Sequence, residues 1–184
     1  MSKEKNLRQL LAATTLGFVV AACSHNNSPS SQINAGLAPF SSTRTSALSI
    51  VSSAKRTLAA DDVNTLSVAY TRLEEKANTY AGFMIEAVTT SSFDAAKNAQ
   101  YSADFEKALA TFNKTATALG SRKTVATDWV PGFAQSLQTR WDQYNGMVAK
   151  MTPQTKADLI TGLKRDTVWP NYEDIATETV AGSP

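Results

Sequence analysis

The sequence predicts an all-α protein, an antiparallel bundle of about four principal helices with a short terminal helix. Long stretches place apolar residues at three- and four-residue steps, the spacing that lines one face of a helix. Residues suited to capping helix ends fall at the borders of those stretches. No stretch alternates polar and apolar residues with period two between turn signals, and no internal repeat is present, which removes β-sandwich and solenoid folds. Apolar residues make up 42% of the chain and charged residues 18%, a balance suited to a packed core rather than to disorder.

The elements follow in order. Ser24 to Gln32 is polar, and Gly36 and Pro39 interrupt what comes next, so residues 23–42 read as a flexible tether and residues 43–184 as the helical domain. From about Ser46, Leu48, Val51 and Leu58 share one side of a first helix. Asp61 or Asp62 suits the N-cap of a second, with Val63, Leu66, Tyr70, Leu73, Ala77, Tyr80, Met84 and Val88 in its apolar band. Whether a turn near Ala60 separates these two helices or they are continuous stays open. Ser91-x-x-Asp94 has capping-box spacing and opens a third helix through Tyr101, Phe105, Leu109, Phe112 and Leu119, with Gly120 at the C-terminal cap. Asp128 suits the cap of a fourth, whose face carries Trp129, Phe133, Leu137, Trp141, Tyr144, Val148 and Met151. Thr152-Pro153 starts a fifth that should bury Ile160 and Leu163 and end at Trp169-Pro170. Asn171-x-x-Asp174 suits a last short helix through Val180.

Ahead of the tether, Lys3, Lys5 and Arg8 precede an apolar run from Leu10 to Val20, the layout of a secretory signal in residues 1–22. The run is short for a permanent membrane span. Val20-Ala21-Ala22-Cys23 resembles the lipobox of bacterial lipoproteins. The resemblance implies cleavage after Ala22, lipidation of Cys23, and a chain attached to the cell envelope through an N-terminal acyl group. Ser24 in place of an aspartate resembles an outer-membrane address, on the periplasmic face, if the source is Gram-negative.

Charge and rare residues bound the chemistry. Of eighteen basic and sixteen acidic residues, Lys3, Lys5, Arg8 and Glu4 lie before Cys23, so fifteen of each remain beyond it. That neutrality argues against nucleic acid as a partner, since phosphate binding draws on clustered cations. Lys55-Arg56, Arg122-Lys123 and Lys164-Arg165 read as solvated doublets. Cys23 is the only cysteine and His25, in the tether, the only histidine. Ser-His-Asp and Cys-His catalysis, zinc sites built on histidines, and histidine-ligated haem therefore have no residues to draw on. No cofactor and no metal site is expected.

Ser52-x-x-Lys55 has the spacing of the penicillin-binding-protein nucleophile motif, in which lysine assists deprotonation of serine one turn away. The companion Ser-Asp-Asn and Lys-Thr-Gly motifs are absent, so the pair reads as structural. The carboxylate pairs Asp61-Asp62, Glu74-Glu75 and Glu173-Asp174 read as helix-start or surface charges, with Glu75 three residues from Arg72.

The aromatic residues are the functional lead. Trp129, Trp141 and Tyr144 on one helix, with Trp169 at a helix end, suit either a core or the lining of a groove. Phe83 falls off its helix's buried band, marking an exposed contact or packing by another element. The expected function is a membrane-anchored, non-catalytic helical lipoprotein that binds an envelope protein partner as an adaptor or assembly factor. The alternative is a carrier of a small ligand or cell-wall glycan, with an aromatic-lined pocket.

Overall fold

The computed structural model describes residues 28–176. Five helices follow in order: α1 (Pro29–Thr57), α2 (Ala60–Thr90), α3 (Ala95–Ala118), α4 (Trp129–Val148) and α5 (Pro153–Thr167), then a 3₁₀ turn at Tyr172–Asp174. Among the described residues there is no strand. Helices α1 to α4 form the bundle, and α5 lies against α1 and α2. The signal, Cys23 and His25 lie outside the described residues.

Helix α1 is the main departure from expectation. It begins at Pro29 and not near Ser46, so most of the presumed tether is folded. Ser28 caps it by accepting the Ser31 N–H at 3.2 Å, and Pro29 sits in the first turn, where its missing N–H would have no helical partner. The apolar register runs straight through the supposed interruption, with Ile33, Leu37 and Phe40 buried in line with Ala47, Ile50 and Val51. Pro39 has no N–H for the Ala35 carbonyl, but Ala35 lies on the exposed side. Gly36 is required by packing: a Cβ there would collide with the Tyr144 hydroxyl of α4.

The α1–α2 connection resolves as a break, with Leu58 and Ala59 both extended. Ala59, rather than Asp61 or Asp62, occupies the N-cap position and makes no side-chain cap. The two aspartates sit in the first turn, where their charge favours the positive helix end. Ser91 is the left-handed residue that ends α2 (φ 57°), and Asp94 caps α3 by accepting the N–H groups of Ala96 and Lys97 at 2.9 and 3.0 Å. The Ser91-x-x-Asp94 spacing is thus a stop followed by a cap and not a capping box.

Gly120 ends α3 as expected. Its φ of 88° lets Ser121 N–H reach the Ala116 carbonyl and Gly120 N–H reach that of Thr117, the paired bonds of a Schellman motif. Asp128 stands at the N-cap of α4 with helical dihedrals and makes no side-chain cap. Thr152 and Pro153 start α5 as expected. That helix buries Leu159, Leu163 and Thr167, while Ile160 is half-buried. The last helix is a single 3₁₀ turn, and residues 177–180 lie outside the described range.

Candidate functional site

Four of the aromatic candidates are buried, and Trp129 is half-buried. Trp169 is 2% exposed and enters between α1 and α2, its ring centroid 6.3 Å from Phe40, 6.3 Å from Tyr70 and 6.1 Å from Phe105. Trp129 packs edge-on against Phe133 at 5.2 Å and donates its indole N–H to the Ala126 carbonyl. Trp141 stacks on Phe93 at 5.0 Å. Phe83, which sequence spacing made a candidate exposed contact, is 7% exposed. The 91–94 link and α3 cover it through Phe93 and Tyr101, at 5.4 and 5.8 Å. Beside Trp141 and Tyr144 is a void of about 10 Å³, roughly one water and no ligand pocket.

Residues 168–176 form a strap laid over α1 and α2, and side chains of those helices satisfy its backbone. Arg44 Nε donates to the Val168 carbonyl at 2.9 Å. Asn78 accepts the Trp169 N–H at 2.7 Å and donates to the Trp169 carbonyl at 3.1 Å. The Tyr70 hydroxyl donates to Pro170 at 2.9 Å. Lys55 Nζ donates to the carbonyls of Tyr172 and Ile175 at 2.6 and 2.9 Å and lies 4.3 Å from the Tyr172 ring centroid. Ser52 Oγ donates to Ala176 at 2.8 Å. The Ser52-x-x-Lys55 pair therefore fastens the strap.

Electrostatics around the strap are shaped by burial. Desolvation, and secondarily the Glu74 charge, push the Tyr70 hydroxyl far above its ordinary range, with Arg44 opposing. Burial and then Asp174 raise the Glu74 carboxyl. The other carboxylate candidates are surface charges: Glu75 pairs with neighbouring Lys76 at 3.0 Å and not with Arg72. Among the described residues no group of three His, Cys, Asp or Glu is placed to hold a metal, and no helix is long and apolar enough to cross a membrane.

Among the described residues, a cleft of about 390 Å³ lies between the C-terminal ends of α1 and α3, floored by Ile50, Ala54, Leu66 and Ala116. Leu58 and Leu119 flank the floor, hydroxyls of Ser49, Ser53 and Thr57 line the α1 wall, and Arg122 and Lys123 stand on the rim. The size falls within the range of binding sites.

The cleft exists because α4 starts late. After Gly120 the chain turns back along α3, where Asn113 pins the Val125 backbone by accepting its N–H at 2.8 Å and donating to its carbonyl at 2.7 Å. Helix α4 then begins at Trp129, already packed against Phe105. At 1.5 Å per residue α3 runs on about 20 Å past Phe105; the linker covers it at Asn113, and its far end, at Ala116 and Leu119, lines the cleft with no α4 residue opposite.

Sequence reasoning took Arg122-Lys123 for a solvated doublet and passed over the small floor residues. The signal available was the linker, ten residues from Leu119 to Asp128, which is long enough to fold back before α4 starts. No protein-family model, curated protein or solved structure matches this chain.

Proposed function

We propose that this chain is a membrane-anchored, non-catalytic helical lipoprotein that binds an envelope protein partner, as an adaptor or assembly factor, with the cleft between α1 and α3 as its docking site. The cleft is the observation that carries the reading. It joins an apolar floor to a polar rim, as docking surfaces do. The aromatic residues that suited a ligand pocket are instead packed against one another. Ser52 and Lys55, the pair with nucleophile spacing, hold strap carbonyls. The lipobox resemblance at Cys23 supplies the anchor and the compartment.

Photo-crosslinking in the native envelope tests this. A crosslinker at Thr57, on the cleft wall, should capture one protein, and a crosslinker at Asp142, exposed on α4, should not. Crosslinks to lipid and abundant porins alone, from these and other surface positions, overturn the proposal. Cys23→Ser should abolish acyl labelling and membrane retention, and unchanged labelling overturns the anchor.

A further inference from the structure

We infer that the occupant of the cleft is an acidic amphipathic helix of the partner, laid where the bundle lacks its fourth helix. The inference rests on the docking reading above and adds the chemistry of what docks.

Shape comes first. At this end of the molecule the cleft is walled by α1, α2 and α3, and no residue of α4 lines it. The element that completes such an arrangement is a helix packed in the vacant groove. The small floor residues Ala54 and Ala116 let an incoming backbone approach closely. Ile50 and Leu66 close the floor almost fully buried, and the half-buried Leu58 and Leu119 present the apolar surface for side chains spaced three and four residues apart.

Backbone chemistry separates a helix from an extended peptide. The strap on the other side of α1 is irregular, and five side chains donate hydrogen bonds to its carbonyls. The cleft floor is apolar, and its α1 wall offers only the hydroxyls of Ser49, Ser53 and Thr57, the last already donating to the Ser53 carbonyl, in place of the lysine, arginine and asparagine groups that hold the strap. A segment whose backbone groups are satisfied internally suits this surface, and a helix is that segment.

Charge sets the flanks. Arg122 and Lys123 are exposed, and among the described residues their side chains have no ion-pair partner. Among the described residues no carboxylate lines the cleft. Rim charges of this kind direct orientation and encounter more than they add affinity, so the apolar contacts hold the helix and carboxylates on its flanks set its preference.

Two labelled probe peptides of identical length test the inference against the full mature lipoprotein in detergent micelles, with fluorescence anisotropy as the readout. Both carry leucine at three- and four-residue spacing; one has glutamate on its remaining faces and the other lysine. The glutamate peptide should bind at least about tenfold more tightly, a difference of about 1.4 kcal/mol. Ser53→Trp places a large ring in the cleft from an exposed position and should abolish binding while the far-UV circular dichroism is unchanged. Arg122→Glu with Lys123→Glu should turn the preference toward the lysine peptide.

Equal binding of both peptides, no binding of either, or undiminished binding to Ser53→Trp overturns the inference. So does displacement of the glutamate peptide by phosphatidylglycerol vesicles, which would make the cleft a lipid site. Envelope crosslinks from another surface with none from Thr57 overturn the cleft as the dock and leave partner binding standing. Crosslinks from Thr57 without a glutamate preference keep the dock and remove the acidic helix.

Discussion

Gly36→Ala should destabilise the protein, although alanine is the better helix former. In an exposed helix the change would stabilise by about 1 kcal/mol through propensity. Here the new methyl group meets the Tyr144 hydroxyl, on a ring that is 5% exposed and held between α1 and α4. A methyl group driven onto the hydroxyl of a buried ring belongs to the upper part of the overpacking range, about 2–3 kcal/mol, so after the propensity gain the net loss should be about 1–2 kcal/mol. Tyr144→Phe removes the obstructing oxygen and leaves the ring carbon 3.2 Å from the new Cβ, a contact relieved by a small shift. In that background Gly36→Ala should be neutral or stabilising, giving a coupling of about 1–3 kcal/mol between the two sites. Urea unfolding of the four proteins, followed by far-UV circular dichroism, measures the cycle, with midpoint shifts of about 0.5–1 M. If Gly36→Ala is harmless in the wild-type background, residues 29–42 are not packed on α4 and the extended α1 is wrong.

The strap and the buried tyrosines yield further outcomes. Asn78→Ala leaves both backbone groups of Trp169 without their partner and should cost about 2–4 kcal/mol, from two lost hydrogen bonds and the groups they orphan. A loss near zero in urea unfolding would mean that the strap is not held this way. Glu74 has its folded pKa raised, so its contribution to stability is full at acid pH and is lost as pH rises through that raised value. Glu74→Gln should therefore flatten the dependence of the melting temperature on pH from mildly acidic to neutral. An unchanged profile would remove Glu74 as its source. Burial likewise raises the hydroxyls of Tyr70 and Tyr80, so stability should fall as pH climbs past the ordinary tyrosine range. Tyrosinate absorbance should develop for these two only together with unfolding, and their titration in the folded protein would contradict the packing.

The legible parts of the fold were those in which one local rule dominates. The bands of α2, α3 and α4, the Gly120 stop and the Thr152-Pro153 start each follow from spacing or from a single backbone requirement. Helix α1 was misjudged because Gly36 and Pro39 are read as breakers, whereas tertiary packing demands the glycine and the exposed side of the helix tolerates the proline. Phe83 fell off its helix's band because a single band describes one contact face; of its two readings the packing one holds, since α2 is covered on a second face by Phe93 and Tyr101. Trp169-Pro170 ended a helix as expected, yet nothing local told that the tryptophan would turn back into the core.

The cleft was the least legible feature, for a physical reason. A catalytic constellation concentrates uncommon residues, and a ligand pocket concentrates aromatic ones. This cleft arises from a helix that is missing over part of the bundle. Its floor is Ile50, Ala54, Leu66 and Ala116, residues that read as ordinary core because three of the four helices treat them so. What distinguishes them is that α4 begins level with Phe105 while α1 and α3 continue to Thr57 and Ala118. The mismatch is set by the linker between Gly120 and Asp128, and by Asn113, which pins Val125 against α3. Asn113 is therefore a better marker of the site than any residue lining it. Asn113→Ala, which frees the linker to move toward the vacant position, should weaken binding of the glutamate probe without altering a single wall residue. Unaltered affinity would show that the cleft is held open by the helices alone.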